Sequence, residues 1–363
     1  MSDDLRETVG GAIAEAIGAG LTPGAVVLIA RGDEILCHEA VGDRSLVPER
    51  LPVEPDTVFD VASLTKVVAT TTVVMQLAEG GALSLDDELR RWLPEFTGEA
   101  RDRVTIRDLL AHCSGLPAHR RLGDSLGEDV AEDDRRERAT AAICRLPLEH
   151  APGEGVIYSC LGFILLTTVV QVASGRRLED LACERVFGPL GMADTGFCPP
   201  PAARARCAAT EQLPDGTLIG VVHDENARYL GGVGGNAGLF STAADLARFG
   251  RALLHGGALD GVRILSEATV REMFSEQAVS GEVRRCLGWR LANSGDPLTH
   301  GAPTVESIGH TGFTGTSLWI DRDSGLLVIL LTNRVHMGRE IEIEPLRRRT
   351  GAIAAGQIGK EHA

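Results

Sequence analysis

The sequence predicts an α+β fold, in which an antiparallel sheet built from both ends of the chain is flanked by helices and carries an inserted, mainly helical region. Three observations predict it. Strand patterns crowd into residues 25–60 and return only at 287–332. An amphipathic helix pattern stands at each end of the chain. The stretch between carries 3.6-residue periodicity broken by Pro/Gly-rich loops. Residues 1–81 and 281–363 are therefore expected to form one discontinuous sheet domain and 82–280 a helical one, with a catalytic cleft where they meet.

Residues 3–19 read as the first helix, stopped by Gly20 and the Thr22-Pro23-Gly24 turn. Apolar, β-branched runs at 25–30 and 34–41 around Arg31-Gly32-Asp33 spell a hairpin. A short strand at 58–60 leads into Ser63, and 64–79 is a strong helix pattern closed by Gly80-Gly81. Helix patterns follow at 105–112, 162–173, 178–187 and 242–254, with the charged run 123–138 expected as a solvated loop or irregular helix. Strands return at 287–291, 316–321 and 326–332, and a last helix is expected over 340–357.

Composition bounds the function. The 363 residues are 44% hydrophobic and 24% charged, ordinary for a globular protein. A formal charge of −15 argues against nucleic acid and anionic membrane surfaces as partners. The longest apolar run, 326–331, has strand length, and the acidic start of the chain does not read as a signal peptide, so a cytoplasmic protein is expected. The eight cysteines show neither Cys-x-x-Cys pairs nor zinc spacing and read as reduced thiols. No Gly-x-Ser-x-Gly elbow and no phosphate loop is present, against an α/β-hydrolase and against nucleotide chemistry.

Lysine is nearly absent: only Lys66 and Lys360 interrupt the use of arginine for positive charge. A desolvated lysine can act as a neutral base, which arginine cannot. Lys66 stands three residues after Ser63, on the same helix face, so Ser63-Leu64-Thr65-Lys66 reads as a nucleophile with its activator. The helix start around Ser63 offers amides and a positive dipole end to an oxyanion. Tyr158, one of two tyrosines, sits in a turn ahead of a helix. A phenol beside an ammonium favours its charged form and could relay the Ser63 proton. His310-Thr311-Gly312 precedes the strand at 316–321, and its glycine lets a substrate approach the backbone.

These pieces resemble the serine β-lactamase-related family: class C β-lactamases, D-Ala-D-Ala carboxypeptidases and related esterases. The resemblance rests on Ser63-x-x-Lys66, the segment 105–117, Pro152-Gly153 with Tyr158-Ser159-Cys160, residues 187–195, residues 235–242 and His310-Thr311-Gly312, in the family's order across nearly the whole chain. It implies Ser63 as acylated nucleophile, Lys66 and Tyr158 as the acid/base pair, and the backbone amides of Ser63 and Phe313 as oxyanion hole. It implies no metal and no organic cofactor. Two departures bear on substrate. Cys160 replaces the amide of the family's Tyr-x-Asn motif, which resembles a clamp for an acylamino group, and a thiol is a poor donor. His310 replaces the lysine of Lys-Thr-Gly, making a cation there depend on pH. Both changes favour a carboxylesterase acting on a small-molecule ester over a β-lactamase or carboxypeptidase. Acyl transfer and a non-catalytic binding module are the remaining alternatives; the oligomeric state is not encoded in any motif.

Three further sites have plainer readings. His112-Cys113-Ser114-Gly115 reads as a helix end. His223-Asp224-Glu225-Asn226 reads as a cleft-lining turn, not a metal site. Trp289 and Trp319 are strand residues in or beside the core, and Trp289 is also a candidate wall of the acyl pocket.

Overall fold

The computed structural model describes residues 2–127, 130–293 and 299–358; Lys360 lies outside them. A nine-stranded antiparallel sheet organises the chain. Its strands, in chain order, are β1 (Gly24–Arg31), β2 (Glu34–Ser45), β3 (Leu51–Pro52), β4 (Ala278–Ser280), β5 (Val283–Arg285), β6 (Arg290–Leu291), β7 (Ile308–Thr311), β8 (Ser317–Asp321) and β9 (Leu326–Thr332). The spatial order is β4-β5-β6-β7-β8-β9-β1-β2-β3, so β9 from the C-terminal part pairs with β1 from the N-terminal part. Both ends of the chain therefore build one sheet.

The central strands are apolar throughout because both faces are covered. Val26 and Leu28 of β1 face one cluster with Leu327, Ile329 and Leu331 of β9. Ala25, Val27 and Ile29 face the other with Leu326, Val328 and Leu330. The Val27↔Leu330 and Leu28↔Ile329 register keeps each set on its own side. Helix α1 (Ser2–Gly18) and the C-terminal helix α5 (Glu344–Ala355) cover the second face through Val9, Ile13 and Leu346. On the first face α4 (Ala243–Leu254) lies so close that a Cβ on Gly250 would meet Leu327 at 2.5 Å. Each buried Leu, Ile or Val contributes roughly 1.5–3 kcal/mol by removal from water.

The rest of the chain packs on that first face around α2 (Thr72–Glu79) and the buried α3 (Cys160–Ser174). Residues 82–280 hold more strand than the sequence suggests: Ala209–Leu213 pairs with Gly216–Ile219, Ala258–Leu259 with Val262–Arg263, and Leu239–Ser241 joins Phe59–Asp60 to Gly196–Phe197. These pieces are two to five residues long, too short for alternation to register. For the same reason β4, β5 and β7 escape a sequence reading. The 287–291 strand begins only at Arg290, because Gly288 (φ +77°) makes a turn against Thr71 where a Cβ would lie 2.1 Å from the hydroxyl. Within the charged run the described residues form two helices, Leu122–Leu126 and Glu132–Cys144; residues 128 and 129 lie outside the described residues. The last helix starts at Glu344, with Pro345 in its first turn.

Candidate active site

Ser63 follows Ala62, an L-residue held at φ +48°, a backbone region that costs energy unless its surroundings impose it. Asp60 imposes it here: its Oδ1 accepts from Ala62 N–H (2.9 Å) and its Oδ2 from His223 N–H (2.7 Å). Thr65 Oγ1 donates to Ala62 O (2.6 Å) and accepts from Leu239 N–H (3.0 Å). The expected plain helix start is absent. Residues Ala62–Leu64 form a 3-10 turn and Lys66–Thr71 a π-helical stretch before α2 begins, so a macrodipole argument at Ser63 loses its regular first turn. π-stretches of this kind accompany functional sites.

Lys66 nonetheless meets Ser63. Its Nζ donates to Ser63 Oγ (3.1 Å) and to Asn236 O (2.9 Å), and lies 3.6 Å from Cys160 Sγ. It is fully buried. Burial pulls it toward neutrality, but negative charge at Cys160 and Tyr158 and a hydrogen bond to Tyr158 outweigh that, and the net direction is upward. The expectation of a neutral amine is thereby corrected: Lys66 is held as an ammonium. Cys160 is its counterpart. Burial alone would push the thiol up, but Lys66 and a hydrogen bond from His119 bring it down.

Tyr158 completes the group from the other side, with Lys66 Nζ 4.9 Å from its ring centroid. Segment 112–118 cradles it. Ile157 N–H donates to His112 O (3.0 Å), Ser159 N–H to His112 Nδ1 (3.1 Å) and Cys160 N–H to Ala118 O (2.9 Å). Ser159 then caps α3 through Gly162 N–H. His112-Cys113-Ser114-Gly115 is thus the seat of Tyr158, with His112 at φ +61° and Gly115 pressed on His150 O.

The β7–β8 turn supplies the third wall. Gly312 is obligatory: a Cβ would sit 2.1 Å from Thr316 Oγ1 and 2.7 Å from Val61 O. Thr316 Oγ1 donates to Val61 O (3.1 Å) and Thr314 Oγ1 to Asp60 O (2.8 Å), tying this turn to the backbone ahead of Ser63. From α5 the buried Arg347 donates to Gly312 O and Thr316 O. Strand β6 pairs only with Ile308 and Gly309 of β7, so His310 and Thr311 run past its end.

Ser63, Tyr158, Cys160, His310, Thr311, Gly312 and Phe313 all line one cavity of about 780 Å³. Phe313 is 46% exposed at its mouth, stacked on His223 with Arg334 and Arg339 beside it. Trp289 is elsewhere. It is fully buried between Phe249 and Phe274, and Trp319 reaches the cavity wall instead. Trp289 stands just before β6, after the Gly288 turn, and packs on Phe249 of α4, where an aromatic core side chain finds more surface to bury. His310 is buried too. Burial first, then Lys66, Arg285 and Arg290, hold it well below the usual imidazole range. Its Nδ1 donates to Thr311 O (2.9 Å). The pH-dependent cation expected at this position is therefore corrected to a neutral imidazole.

His223 and Asp224 line the cavity as a turn, Asp224 capping the Glu225–Tyr229 helix through Ala227 N–H (2.8 Å). Among the described residues no three His, Cys, Asp or Glu side chains are grouped to hold a metal, and no helix is long and apolar enough to cross a membrane. Sequence reasoning missed Asp60, His119, Arg285 and Arg347. Only the acid three residues before Ser63 left a local trace.

A family model described as Beta-lactamase matches residues 11–352. The chain belongs to the beta-lactamase family. Within it, a relative from Escherichia coli (strain K12) named "Putative D-alanyl-D-alanine carboxypeptidase" is 32% identical over 350 residues, covering 86% of this chain and 79% of that one. Among solved structures, one titled "A class C beta-lactamase" superposes with TM-score 0.79 at 21% identity, covering 99% of this chain and 98% of the other. "EstCE1, a hydrolase with promiscuous acyltransferase activity" gives 0.76 at 24% identity, covering 97% and 99%. The beta-lactamase-family chain is a serine hydrolase of that fold.

Proposed function

We propose that the protein hydrolyses carboxylic esters of small molecules through an acyl-enzyme on Ser63. Ser63 Oγ attacks the ester carbonyl carbon while Tyr158, held beside the Lys66 ammonium, accepts its proton. The backbone amides of Ser63 and Phe313 stabilise the tetrahedral oxyanion, a contribution of roughly 3–4 kcal/mol per donor. The alcohol leaves with the proton returned by Tyr158, and water repeats the two steps to release the acid.

The observation that carries the ester reading is Cys160, whose sulfur lies 3.6 Å from Lys66 Nζ at the position of the family's amide clamp. A thiol is at best a weak donor to an acylamino carbonyl and cannot replace a two-sided amide. A neutral His310 likewise removes the cation expected at the Lys-Thr-Gly position. Esters require neither contact. The name carried by the curated relative favours the second reading, an amidase acting on D-alanyl-D-alanine peptides or β-lactams. Turnover of p-nitrophenyl butyrate against a chromogenic cephalosporin separates them: the ester is expected to be the better substrate by kcat/KM, and parity or reversal refutes the esterase reading.

A further inference from the structure

Tyr158 stands amid several basic groups. The tilted rings of His112 and His310 lie 4.6 Å and 5.8 Å from it between centroids, and Lys66 Nζ lies 4.9 Å from its centroid. Cys160, two residues on, pairs with Lys66 and His119. From β5 comes Arg285, whose guanidinium carbon is 5.2 Å from the same centroid and whose side chain is 1% exposed. Its cross-strand partner Arg290 sits opposite Gly309, the residue before His310, and both arginines reach the cavity wall.

The two histidines cannot serve as cations near neutral pH, since burial and the adjacent charges hold both well below the usual imidazole range. An arginine keeps its proton at any pH the enzyme meets, however deeply it lies. Stacked on an aromatic face it also gains cation–π attraction.

We infer that Arg285 is a positioning residue for acyl transfer: its buried guanidinium, stacked on Tyr158, supplies the fixed cation that favours negative charge on the phenolic oxygen as it takes and returns the Ser63 proton. Lys66 meanwhile divides its hydrogen bonds among Ser63 Oγ, Asn236 O and Tyr158. Arg285, on a strand two removed from the Thr311–Gly312 segment, thus takes the electrostatic duty that a neutral His310 cannot perform. The inference rests on the hydrolase reading above.

The test compares Arg285→Gln, Arg285→Ala and Arg285→Lys, each checked for folding by near-ultraviolet circular dichroism, using p-nitrophenyl butyrate across pH. The neutral variants should lose kcat by roughly tenfold or more with KM little changed, and the acid limb of kcat should move up by about one pH unit, the scale of a single charge at ~5 Å in a partly shielded site. Arg285→Lys should keep the wild-type limb. In Arg285→Ala, guanidinium ion should restore activity and urea, its neutral isostere, should not. A limb unmoved in a folded neutral variant, or rescue by urea equal to that by guanidinium, overturns the inference. If the neutral variants do not fold, Arg285→Lys decides: an unchanged limb supports the role and a raised one refutes it. A wild type that leaves both the ester and a fluorophosphonate untouched refutes the hydrolase reading itself, a result distinct from an active wild type with indifferent Arg285 variants.

Discussion

Replacing Asp60 by asparagine should change how stability depends on pH in a calculable way. Asp60 is 1% exposed, and its acid is pushed up to about 6, burial being the main cause and the hydrogen bonds from His223 and Ala62 N–H only partly opposing it. Its ordinary value is 3.8. The sign follows from linkage: between these two pH values the folded protein binds more protons at this site than the unfolded one, so stability falls as pH rises. The gap of about 2 units corresponds to about 3 kcal/mol, present in full below pH ~4 and lost as pH passes ~6. Asp60→Asn is close to the protonated acid in shape and hydrogen-bonding pattern, and it does not titrate. Urea unfolding of both proteins across pH therefore isolates the site. The wild-type minus Asp60→Asn difference should drop by about 3 kcal/mol between pH ~4 and ~7. A flat difference, or one that rises with pH, refutes the account of a buried acid bracing Ala62.

Other outcomes follow from neighbouring residues. Iodoacetamide should abolish esterase activity in the wild type and spare Cys160→Ala, because Cys160 lies beside Lys66 and drawn down, whereas burial pushes Cys37, Cys144, Cys207 and Cys286 up to about 12; equal inactivation of the variant contradicts this. Cys160→Asn should restore an amide clamp and raise cephalosporin turnover about tenfold, worth roughly one good hydrogen bond, measured against the wild type under the same conditions. Gly312→Ala should destabilise by about 1–3 kcal/mol and cut kcat/KM about a hundredfold, since Val61 O cannot yield to the new methyl without shifting Ser63; thermal melts and ester kinetics read both. With His310 already neutral, an anionic and a neutral ester should show parallel pH profiles above pH ~6, and a selective loss of the anionic one would restore a charge to His310.

Legibility in the sequence follows the length and depth of the signal. Strands β1 and β9 are readable because their apolar runs span six residues, and β2 and β8 because shorter apolar runs are bounded by turns; β4–β7 are two to four residues each and carry no period. The Ser63–Lys66 contact was readable because three residues of any tight helical geometry bring the side chains together, even across a 3-10 turn and a π-stretch. What escaped was electrostatic. Lys66 as ammonium and His310 as neutral imidazole depend on Cys160, Arg285 and Arg290, brought in from distant strands and helices. No local pattern announces such neighbours. Trp289 shows the same limit: a strand position is expected for it, but it lies just before β6, and its partners Phe249 and Phe274 come from elsewhere in the chain.

The central claim is that Ser63, activated by the charged Lys66 and Tyr158, carries the acyl group. Intact-mass analysis after incubation with a fluorophosphonate tests it most directly. One adduct is expected on the wild type and on Ser114→Ala, and none on Ser63→Ala. An adduct persisting on Ser63→Ala, or none on the wild type, would contradict the account.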